Sequence, residues 1–407
     1  MIYDVVVAGG GPSGALSAIS LIGSGARVLI LDKANFPRIK PCGGGISYRV
    51  FGRFPYLTDV FESVPINYVH RVVLKSPSGE IVESVNKTPL YAMVRRYEFD
   101  AALLEKCKRG GIEVREHCTV SRIEERKDSI VVSTNLGEKF VTRFLIGADG
   151  VNSVVAIQSG LRQSWARSQV AIDGTEESIT LNTDRDTMYV HYGIDSTYGY
   201  GYVFPKCDHV NLGVGYLLSY FRDHIHSKPW DDHEKFIQRL REDGVINGIS
   251  LRENFHASLL PVAGPLRRLS TNRIVLVGDA GGFVNGFTAE GIYYAMVSGE
   301  HAGITVREVL SEKVPNARGL RSYDERCLKE VGDELRRSVS IQEMLLADPT
   351  RIDKIVALAR QNPAVRQLVT QFAVGALSYI RFRRQVMLRA LPFYVSHKVS
   401  KVRQKLS

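Results

Sequence analysis

Residues 2–32 read IYDVVVAGGGPSGALSAISLIGSGARVLILD, and this stretch decides the fold of the chain. An apolar strand over residues 3–8 enters a glycine-rich turn over residues 9–14. An Ala- and Leu-rich helix follows as far as Gly25, and a second apolar strand spans residues 27–31. Strand, turn, helix and strand in this order predict a βαβ unit, which opens a parallel α/β sheet.

The glycines of the turn have the spacing that a bound dinucleotide requires. Gly9 permits a tight turn, Gly11 lets the backbone approach a pyrophosphate, and Gly14 lets the helix pack close to the strand. The helix N-terminus adds amide donors, and an acid closing the second strand can bind ribose hydroxyls. The alternative is a structural glycine turn in a domain without nucleotide. The predicted cofactor-binding residues of this unit are Gly9, Gly11, Pro12, Ser13, Gly14, Asp32 and Lys33.

Two later stretches also combine a glycine and an acid at the end of a strand. Residues 276–282 read LVGDAGG and residues 285–292 read NGFTAEGI. The acid could hold the ribityl chain of a flavin, and the amides at the following helix start could face its N1–C2=O edge, which becomes anionic on reduction. Residues 147–153 read GADGVNS, and Arg96 could reach a phosphate or the flavin. Together the turns predict FAD, bound by Arg96, Asp149, Gly150, Gly278, Asp279, Gly291 and Ile292.

The chain as a whole predicts an α/β fold. A Rossmann-type FAD-binding domain is interleaved with an antiparallel-sheet substrate domain, and a helical C-terminal region follows. Short alternating stretches and a Tyr-, Thr-, Val- and Gly-rich region over about 165–265 predict the antiparallel sheet. Apolar residues between 365 and 380 recur at helical spacing, and this face either packs on the body or lies in a lipid interface. We expect residues 1–65, 92–165 and 266–315 to form the FAD-binding domain, residues 66–91 and 166–265 the sheet domain, and residues 316–407 the basic helical region.

These motifs resemble the flavoprotein superfamily of aromatic hydroxylases and geranylgeranyl reductases over roughly residues 1–310. Two stretches are similar to the geranylgeranyl reductase branch: PRIKPCGGG at 37–45, and YGYVFPK at 200–206 followed by NLGVG at 211–215. Two positions depart from the pattern. Tyr202 stands where the family usually has Trp. Ala156 stands where the family's DG motif, which begins here with GADGVNS at 147–153, usually ends in Arg. The last ninety or so residues match no family segment.

The resemblance implies that reduced flavin delivers hydride from N5 to a carbon–carbon double bond of an isoprenoid or lipid-like substrate. It places Lys40, Cys42, Gly43 and Gly44 beside the flavin. It also implies an apolar slot with a wall of Tyr200, Tyr202, Phe204 and Pro205. The candidate proton donors, and so the candidate catalytic residues, are Cys42, Tyr200 and Tyr202. The plainer alternative for the aromatic residues is an ordinary sheet core. For Cys42 it is a small residue that lets the loop pass close to the flavin.

Two other functions are compatible with a bound flavin. One is a monooxygenase or halogenase of the same fold, in which reduced flavin reacts with oxygen. The other is an electron-transfer flavoprotein that passes electrons to a quinone. The electron donor stays open between NAD(P)H, a ferredoxin and a quinol, and the oligomeric state also stays open.

Composition limits the cellular setting and the partners. Five cysteines without a CxxC pair argue against a disulfide framework, and no metal site is predicted. We expect a reducing, cytoplasmic location without export, and a small hydrophobic substrate. The net charge of +10 is concentrated in residues 381–407, which hold eight Lys or Arg and no acid. This tail either is solvated or touches an anionic membrane surface; we expect no nucleic-acid partner.

Overall fold

The computed structural model describes residues 2–194, 199–311, 317–348, 350–373, 377, 379–382, 384–386 and 388–389. The N-terminal βαβ unit opens a seven-stranded sheet. In spatial order six of its strands are β8 (Glu113–Arg115), β2 (Val28–Leu31), β1 (Ile2–Ala8), β11 (Lys139–Gly147), β10 (Ile130–Thr134) and β9 (Val120–Glu125). The seventh, β19 (Ile274–Leu276), pairs with the second half of β11, beside β10 on its first half.

The central strands of this sheet are buried on both faces, which explains their unbroken apolar sequences. All four residues of β2 and the last four of β1 are buried. Strands β1, β2, β8, β11 and β19 run parallel, so their carboxyl ends share one edge of the sheet. That edge carries all three of the predicted flavin turns, and α/β sheets bind ligands there.

The helices of this part follow the strands that they cover. They are α1 (Pro12–Ile19), α2 (Arg49–Arg53), α3 (Thr58–Glu62), α4 (Arg96–Arg109), α5 (Val154–Gln158), α8 (Gly278–Gly281) and α9 (Ile292–Ser311). Helix α9 crosses α1 at very short range. A Cβ at Gly299 would lie 2.1 Å from the carbonyl oxygen of Ser13, and one at Gly303 would lie 2.3 Å from that of Ser17. These glycines let two backbones meet behind the pyrophosphate turn.

The second sheet also has seven strands. In spatial order they are β18 (Phe255–Pro261), β12 (Val170–Ser178), β16 (Val210–Leu217), β15 (Gly199–Pro205), β14 (Thr187–Tyr192), β5 (Arg71–Lys75) and β6 (Ile81–Val85). Every pairing is antiparallel except that of β14 with β5. Helices α6 (Leu218–His224) and α7 (Pro229–Glu242) pack on it. The predicted antiparallel sheet interleaved with the flavin domain is therefore confirmed.

Two smaller sheets connect these parts. Strands β3 (Gly45–Ser47) and β4 (Ile66–Val69) flank β7 (Tyr91–Val94), and β13 (Leu181–Asn182) pairs with β17 (Asn247–Gly248). Segment 66–91, which we expected in the substrate domain, thus contributes β4 to the small three-stranded sheet and β5 and β6 to the large one.

The C-terminal part is helical, as predicted. It contains α10 (Ala317–Cys327), α11 (Asp333–Ala347), α12 (Thr350–Gln361) and α13 (Pro363–Ala373), with a π-helical turn at Leu328–Gly332. In α13 Val365 and Leu368 are buried, and Val365 belongs to a cluster that includes Val82 of β6. The described part of the periodic apolar face therefore packs on the body. None of the described helices is long and apolar enough to cross a membrane. Most of the basic tail lies outside the described residues.

Candidate active site

The first glycine turn joins β1 to α1 with the geometry that its spacing predicts. Gly9 has φ +111°, and a Cβ there would lie 2.3 Å from the carbonyl oxygen of Ala148. A Cβ on Gly14 would lie 1.9 Å from the carbonyl oxygen of Gly9. Gly11 is the N-cap of α1 and buried Pro12 follows it. Only glycines allow the turn, the helix and the end of β11 to come this close.

Asp32 is oriented toward this turn by backbone donors. Its Oδ2 accepts the N–H of Gly10 at 2.6 Å, and its Oδ1 accepts the N–H of Ala34 at 2.8 Å. A carboxylate has about four acceptor sites, so lone pairs remain for a ligand hydroxyl. Lys33, the next residue, is exposed.

The late GD motif, which consists of Gly278 and Asp279, lies against the first glycine turn. Gly278 has φ +55°, and a Cβ there would lie 2.6 Å from Oγ of Ser13. The Oδ1 of Asp279 would lie 3.9 Å from a Cβ on Gly291, at the point where Ile292 begins α9. Burial raises the pKa of Asp279, while the charges of Lys40 and Arg96 lower it. The structure thus brings together the two turns and the N-terminus of α9.

These residues fit a bound FAD. Glycines occupy the places where a Cβ would block the approach of the turns. The half-buried Asp279 carboxylate accepts no hydrogen bond from any residue that the structure describes. An acceptor of this kind at a strand end suits the hydroxyls of a ribityl chain.

The carboxylate of Asp149 is hydrogen-bonded within its own turn. It accepts hydrogen bonds from the Ser153 hydroxyl and from the N–H of Val155 at 3.1 Å, while Gly150 has φ +80°. Burial raises the pKa of Asp149, and the Ser153 bond lowers it. Asp149 therefore shapes the turn that touches Gly9, and its predicted contact with the cofactor stays a prediction.

Arg96 is fixed by a buried partner. Its Nε and Nη2 donate to the two oxygens of Asp100, each at 2.7 Å, and Asp100 is fully buried. Burial alone would lower the pKa of Arg96, but Asp100 and Cys42 raise it above its ordinary value. Arg96 is thus a permanent cation beside Cys42 and Asp279.

Arg38 was not singled out from the sequence. Its Nη2 donates to Asp100 at 2.9 Å and would lie 3.6 Å from a Cβ on Gly11. Its Nη1 is buried and has no hydrogen-bond partner among the described residues. An unpaired guanidinium donor beside the pyrophosphate turn is a candidate phosphate contact.

Two glycines of the KPCGGG loop, residues 40–45, pack against the ring of Phe204. A Cβ on Gly43 would lie 2.8 Å from Cδ2 of Phe204, and one on Gly45 would lie 3.1 Å from its Cε2. The Sγ of Cys42 accepts the N–H of Gly44 at 3.4 Å. Phe204 therefore supports the loop, and its place in a substrate pocket stays a prediction.

A buried lysine ties this loop to two strands. Lys206 is 1% exposed, and its Nζ donates to the carbonyl oxygens of Gly43 at 2.8 Å and Val94 at 2.7 Å. The Nζ also lies 3.4 Å from Oε2 of Glu177. Lys206 follows Pro205, which is buried at the end of β15.

The aromatic side chains of β15 form a ladder beside Cys42. The Tyr200 and Tyr202 rings lie 6.2 Å apart, and those of Tyr202 and Phe204 lie 4.6 Å apart. Both tyrosine hydroxyls face Asp173 of β12. Burial is the largest effect on the pKa of each tyrosine and raises it, and the nearby Cys42 raises both pKa values further.

An apolar pocket opens beside Tyr200. Strands of the second sheet form one wall, the turn before α9 forms another, and α11 and α12 close it. Its lining includes Ala171, Tyr192, Tyr200, Leu217, Val262, Phe287, Leu345, Leu346 and Ile352. Of the four residues predicted for the substrate wall, Tyr200 lines this pocket.

The chain matches the model of a family described as FAD binding domain over residues 2–338. It is 30% identical to the digeranylgeranylglycerophospholipid reductase of Methanocaldococcus jannaschii, over 81% of each chain. The chain belongs to the geranylgeranyl reductase family of FAD-binding oxidoreductases. The predicted cofactor and enzyme class are thereby confirmed.

Other members and structures agree with this family. The chloroplastic geranylgeranyl diphosphate reductase of Arabidopsis thaliana is 30% identical over 72% of this chain, which spans 63% of that relative's length. A solved geranylgeranyl bacteriochlorophyll reductase-like protein from Thermoplasma acidophilum has the same fold. Its TM-score is 0.81 at 21% identity, covering 95% of this chain and 98% of that one.

Three side chains of this geranylgeranyl reductase family member escaped the sequence interpretation: Arg38, Asp173 and Lys206. Arg38 and Lys206 stand in or beside motifs that the sequence did single out. Asp173 had no such signal, because its site depends on which strands pair. Among the described residues no group of three or more His, Cys, Asp or Glu could hold a metal.

Proposed function

We propose that this protein reduces carbon–carbon double bonds in an isoprenoid or similar lipid-like substrate. The observation that carries the proposal is the apolar pocket that Tyr200 lines together with residues of the second sheet, α11 and α12. A hydrocarbon chain gains by leaving water for such a pocket, at about 25 cal/mol per Å² of buried apolar surface. Two relatives are named as reductases of geranylgeranyl compounds, and these names support the same substrate class.

FAD, when bound and reduced, supplies a hydride. The protein's own residues would hold it: Asp32 and the glycine turn at the adenosine end, Asp279 and the start of α9 at the flavin end. Arg96 adds a fixed cation nearby. The apolar pocket then holds the double bond in one position, and such positioning lowers the barrier of the reaction.

The lining of the pocket favours a chain over a compact polar ring. The side chains that reach it from the C-terminal helices are Gln342, Leu345, Leu346 and Ile352. Gln342 donates to the carbonyl oxygen of Gly286 at 2.6 Å, so its amide is engaged within the protein. The other three of these side chains are apolar, as a prenyl tail requires.

The test uses anaerobic protein reconstituted with FAD and reduced by dithionite. Mixing with geranylgeranyl diphosphate or with digeranylgeranylglycerophospholipid should reoxidise the flavin and give products heavier by two hydrogens per bond reduced. A fully saturated chain with the same head group is the matched control and should leave the flavin reduced. The proposal fails if no prenyl substrate is reduced while, with oxygen, an aromatic acceptor is hydroxylated or halogenated.

The electron donor is tested separately. NADH, NADPH, reduced ferredoxin and a quinol are each mixed with oxidised holoprotein, and bleaching of the flavin absorbance is followed. The donor that reduces the flavin fastest is the physiological candidate.

A further inference from the structure

Asp173 makes an unexpected contact across the second sheet. It lies on β12, and β16 separates it from β15. Even so, the hydroxyl of Tyr202 donates to its Oδ2 at 3.2 Å, and that of Tyr200 lies 3.5 Å from its Oδ1. Asp173 is 4% exposed. A buried carboxyl group is thus held by the two hydroxyls that the sequence singled out.

Two glycines of β16 make this contact geometrically allowed. Gly215 pairs with both Tyr200 and Asp173, and a Cβ on it would lie 2.4 Å from Cε1 of Tyr200. A Cβ on Gly213 would lie 2.4 Å from the hydroxyl oxygen of Tyr202. The bare backbone of β16 therefore lets the two rings cross it and reach β12.

The electrostatics make Asp173 the stronger acid of the group. Burial raises the pKa of Asp173 to about 6, although the bonds from Tyr202 and Tyr200 and the charge of Lys40 lower it. Burial raises the pKa of Tyr200 well above its ordinary value, and Asp173 and Cys42 raise it further. A tyrosinate left alone in this site would be costly. At the positions of β16 and β18 that pair with Asp173 stand Gly215 and Ser258, which carry no charge.

Tyr200 belongs both to the apolar pocket and to the Asp173 contact. The residue lines the pocket, and its hydroxyl group reaches Asp173. Tyr202 is 5% exposed and holds the second oxygen of Asp173. The two tyrosines therefore have different places: both bind Asp173, but Tyr200 lines the pocket and Tyr202 is not among its lining residues.

We infer that Asp173 is the proton reservoir for double-bond reduction and that it delivers its proton through the hydroxyl of Tyr200. This inference rests on the proposed function. The O–H bond of Tyr200 breaks as a C–H bond forms at one alkene carbon, and the Asp173 proton moves to the Tyr200 oxygen. The other alkene carbon takes the hydride that reduced FAD supplies. The alkene has then gained two hydrogens, Tyr200 is neutral again, and Asp173 is a carboxylate that solvent reprotonates before the next turnover.

In this scheme Tyr200 is a catalytic residue, because it touches the substrate. Asp173 and Tyr202 are positioning residues, because they act through it. Tyr202 stabilises the charged form of Asp173 and so influences the pH at which Asp173 loses its proton. Removing the Tyr202 hydroxyl should raise the pKa of Asp173.

The test measures single-turnover oxidation of reduced holoprotein by geranylgeranyl diphosphate as a function of pH. The wild-type rate should fall as pH rises through about 6, because Asp173 loses its proton there. Asp173→Asn should retain FAD, slow the reaction by about 10²-fold and lose the inflection. Tyr202→Phe should move the inflection to higher pH. Asp232→Asn, which changes another buried carboxyl group at 2% exposure in α7, is the matched control and should keep the wild-type profile.

A second readout needs no substrate. In FAD-loaded protein the infrared C=O absorption of protonated carboxylic acids should gain a component below the pKa of Asp173, and this component should be absent in Asp173→Asn and present in Asp232→Asn. If Asp173→Asn fails to fold, the direction of the pH shift in Tyr202→Phe decides alone.

The outcomes separate two failures. If wild-type protein reduces no prenyl substrate, the proposed function falls and the proton route falls with it. If wild-type protein reduces the substrate, but Asp173→Asn matches its rate and pH profile, the proton route alone is overturned. An unmoved or downward inflection in Tyr202→Phe also overturns it.

Discussion

The ammonium group of Lys206 donates a hydrogen bond to the carbonyl oxygen of Gly43 at 2.8 Å. This bond joins β15, which carries the tyrosines, to the loop that carries Cys42. The same nitrogen bonds Val94 of β7 at 2.7 Å, so three separate segments meet at one buried charge. The relative position of Cys42 and the aromatic ladder therefore depends on Lys206.

Replacing Lys206 with Met should loosen this junction. Two carbonyl oxygens would lose their donor, which costs about 1–3 kcal/mol for a buried group left unpaired. Urea unfolding should show the loss, and FAD should dissociate more readily. The control is Lys75→Met, which breaks a partly exposed pair with Asp243 and should cost less than about 1 kcal/mol. Equal losses in the two variants would contradict this role for Lys206.

Asp279→Ala should weaken FAD binding with little change in the fold. The half-buried carboxylate has no protein donor among the described residues, so its loss removes a ligand contact and no internal bond. A hydrogen bond to a charged group contributes about 1.5–3 kcal/mol, or about 10- to 100-fold in Kd. The ratio of flavin absorbance to protein and an FAD titration measure the effect. Full flavin content in the purified variant would show that the late motif has been misplaced.

Gly215→Ala should separate Tyr200 from Asp173. The added Cβ would lie 2.4 Å from the Tyr200 ring, so the ring must move, and overpacking costs about 1–3 kcal/mol. Reduction of a prenyl substrate should slow while the protein stays folded. Gly52→Ala is the matched control: Gly52 lies in α2 with open space around it, and alanine there should stabilise the helix by up to about 1 kcal/mol. A Gly215→Ala protein with the wild-type rate would argue against a need for the Tyr200 contact.

Ala289→Gly should stabilise the protein. Ala289 has φ +57° in the turn before α9, and this left-handed conformation costs a residue with a Cβ about 1–2 kcal/mol. The free energy of urea unfolding should therefore rise. The same change at Ala295, within α9, should lower it by about 1 kcal/mol because glycine weakens a helix interior. Destabilisation by both changes would mean that the Ala289 methyl group makes a packing contribution larger than the strain.

Acid should weaken the attachment of the π-helical turn at Glu330. Burial alone would raise the pKa of Glu330, but hydrogen bonds from His301 and Arg53 lower it to about 2. A carboxylate with a lowered pKa stabilises the fold above its unfolded value of about 4.3 and loses that contribution as pH falls toward the folded value. Unfolding midpoints measured from neutral pH downward should fall more steeply for wild type than for Glu330→Gln. Parallel curves would exclude Glu330 from the acid response.

The sequence by itself determined the flavin domain. The glycines at 9, 11 and 14 and the GD pair at 278–279 are local backbone requirements, a positive φ or a close approach, and residue type reveals such requirements directly. The apolar strands β1 and β2 and the helical character beyond residue 315 were visible for a similar reason, because hydrophobic period follows from local geometry.

The tertiary structure alone decided which side chains meet. Asp173 reaches Tyr200 only because β15, β16 and β12 are neighbours in one register, with Gly215 between them. The walls of the pocket come from strands, a turn and helices more than a hundred residues apart. Lys206 ends a recognised stretch, but its partners Gly43 and Val94 are on other segments. Strand register and helix packing are set by the sum of many distant contacts, and no short window of sequence contains them.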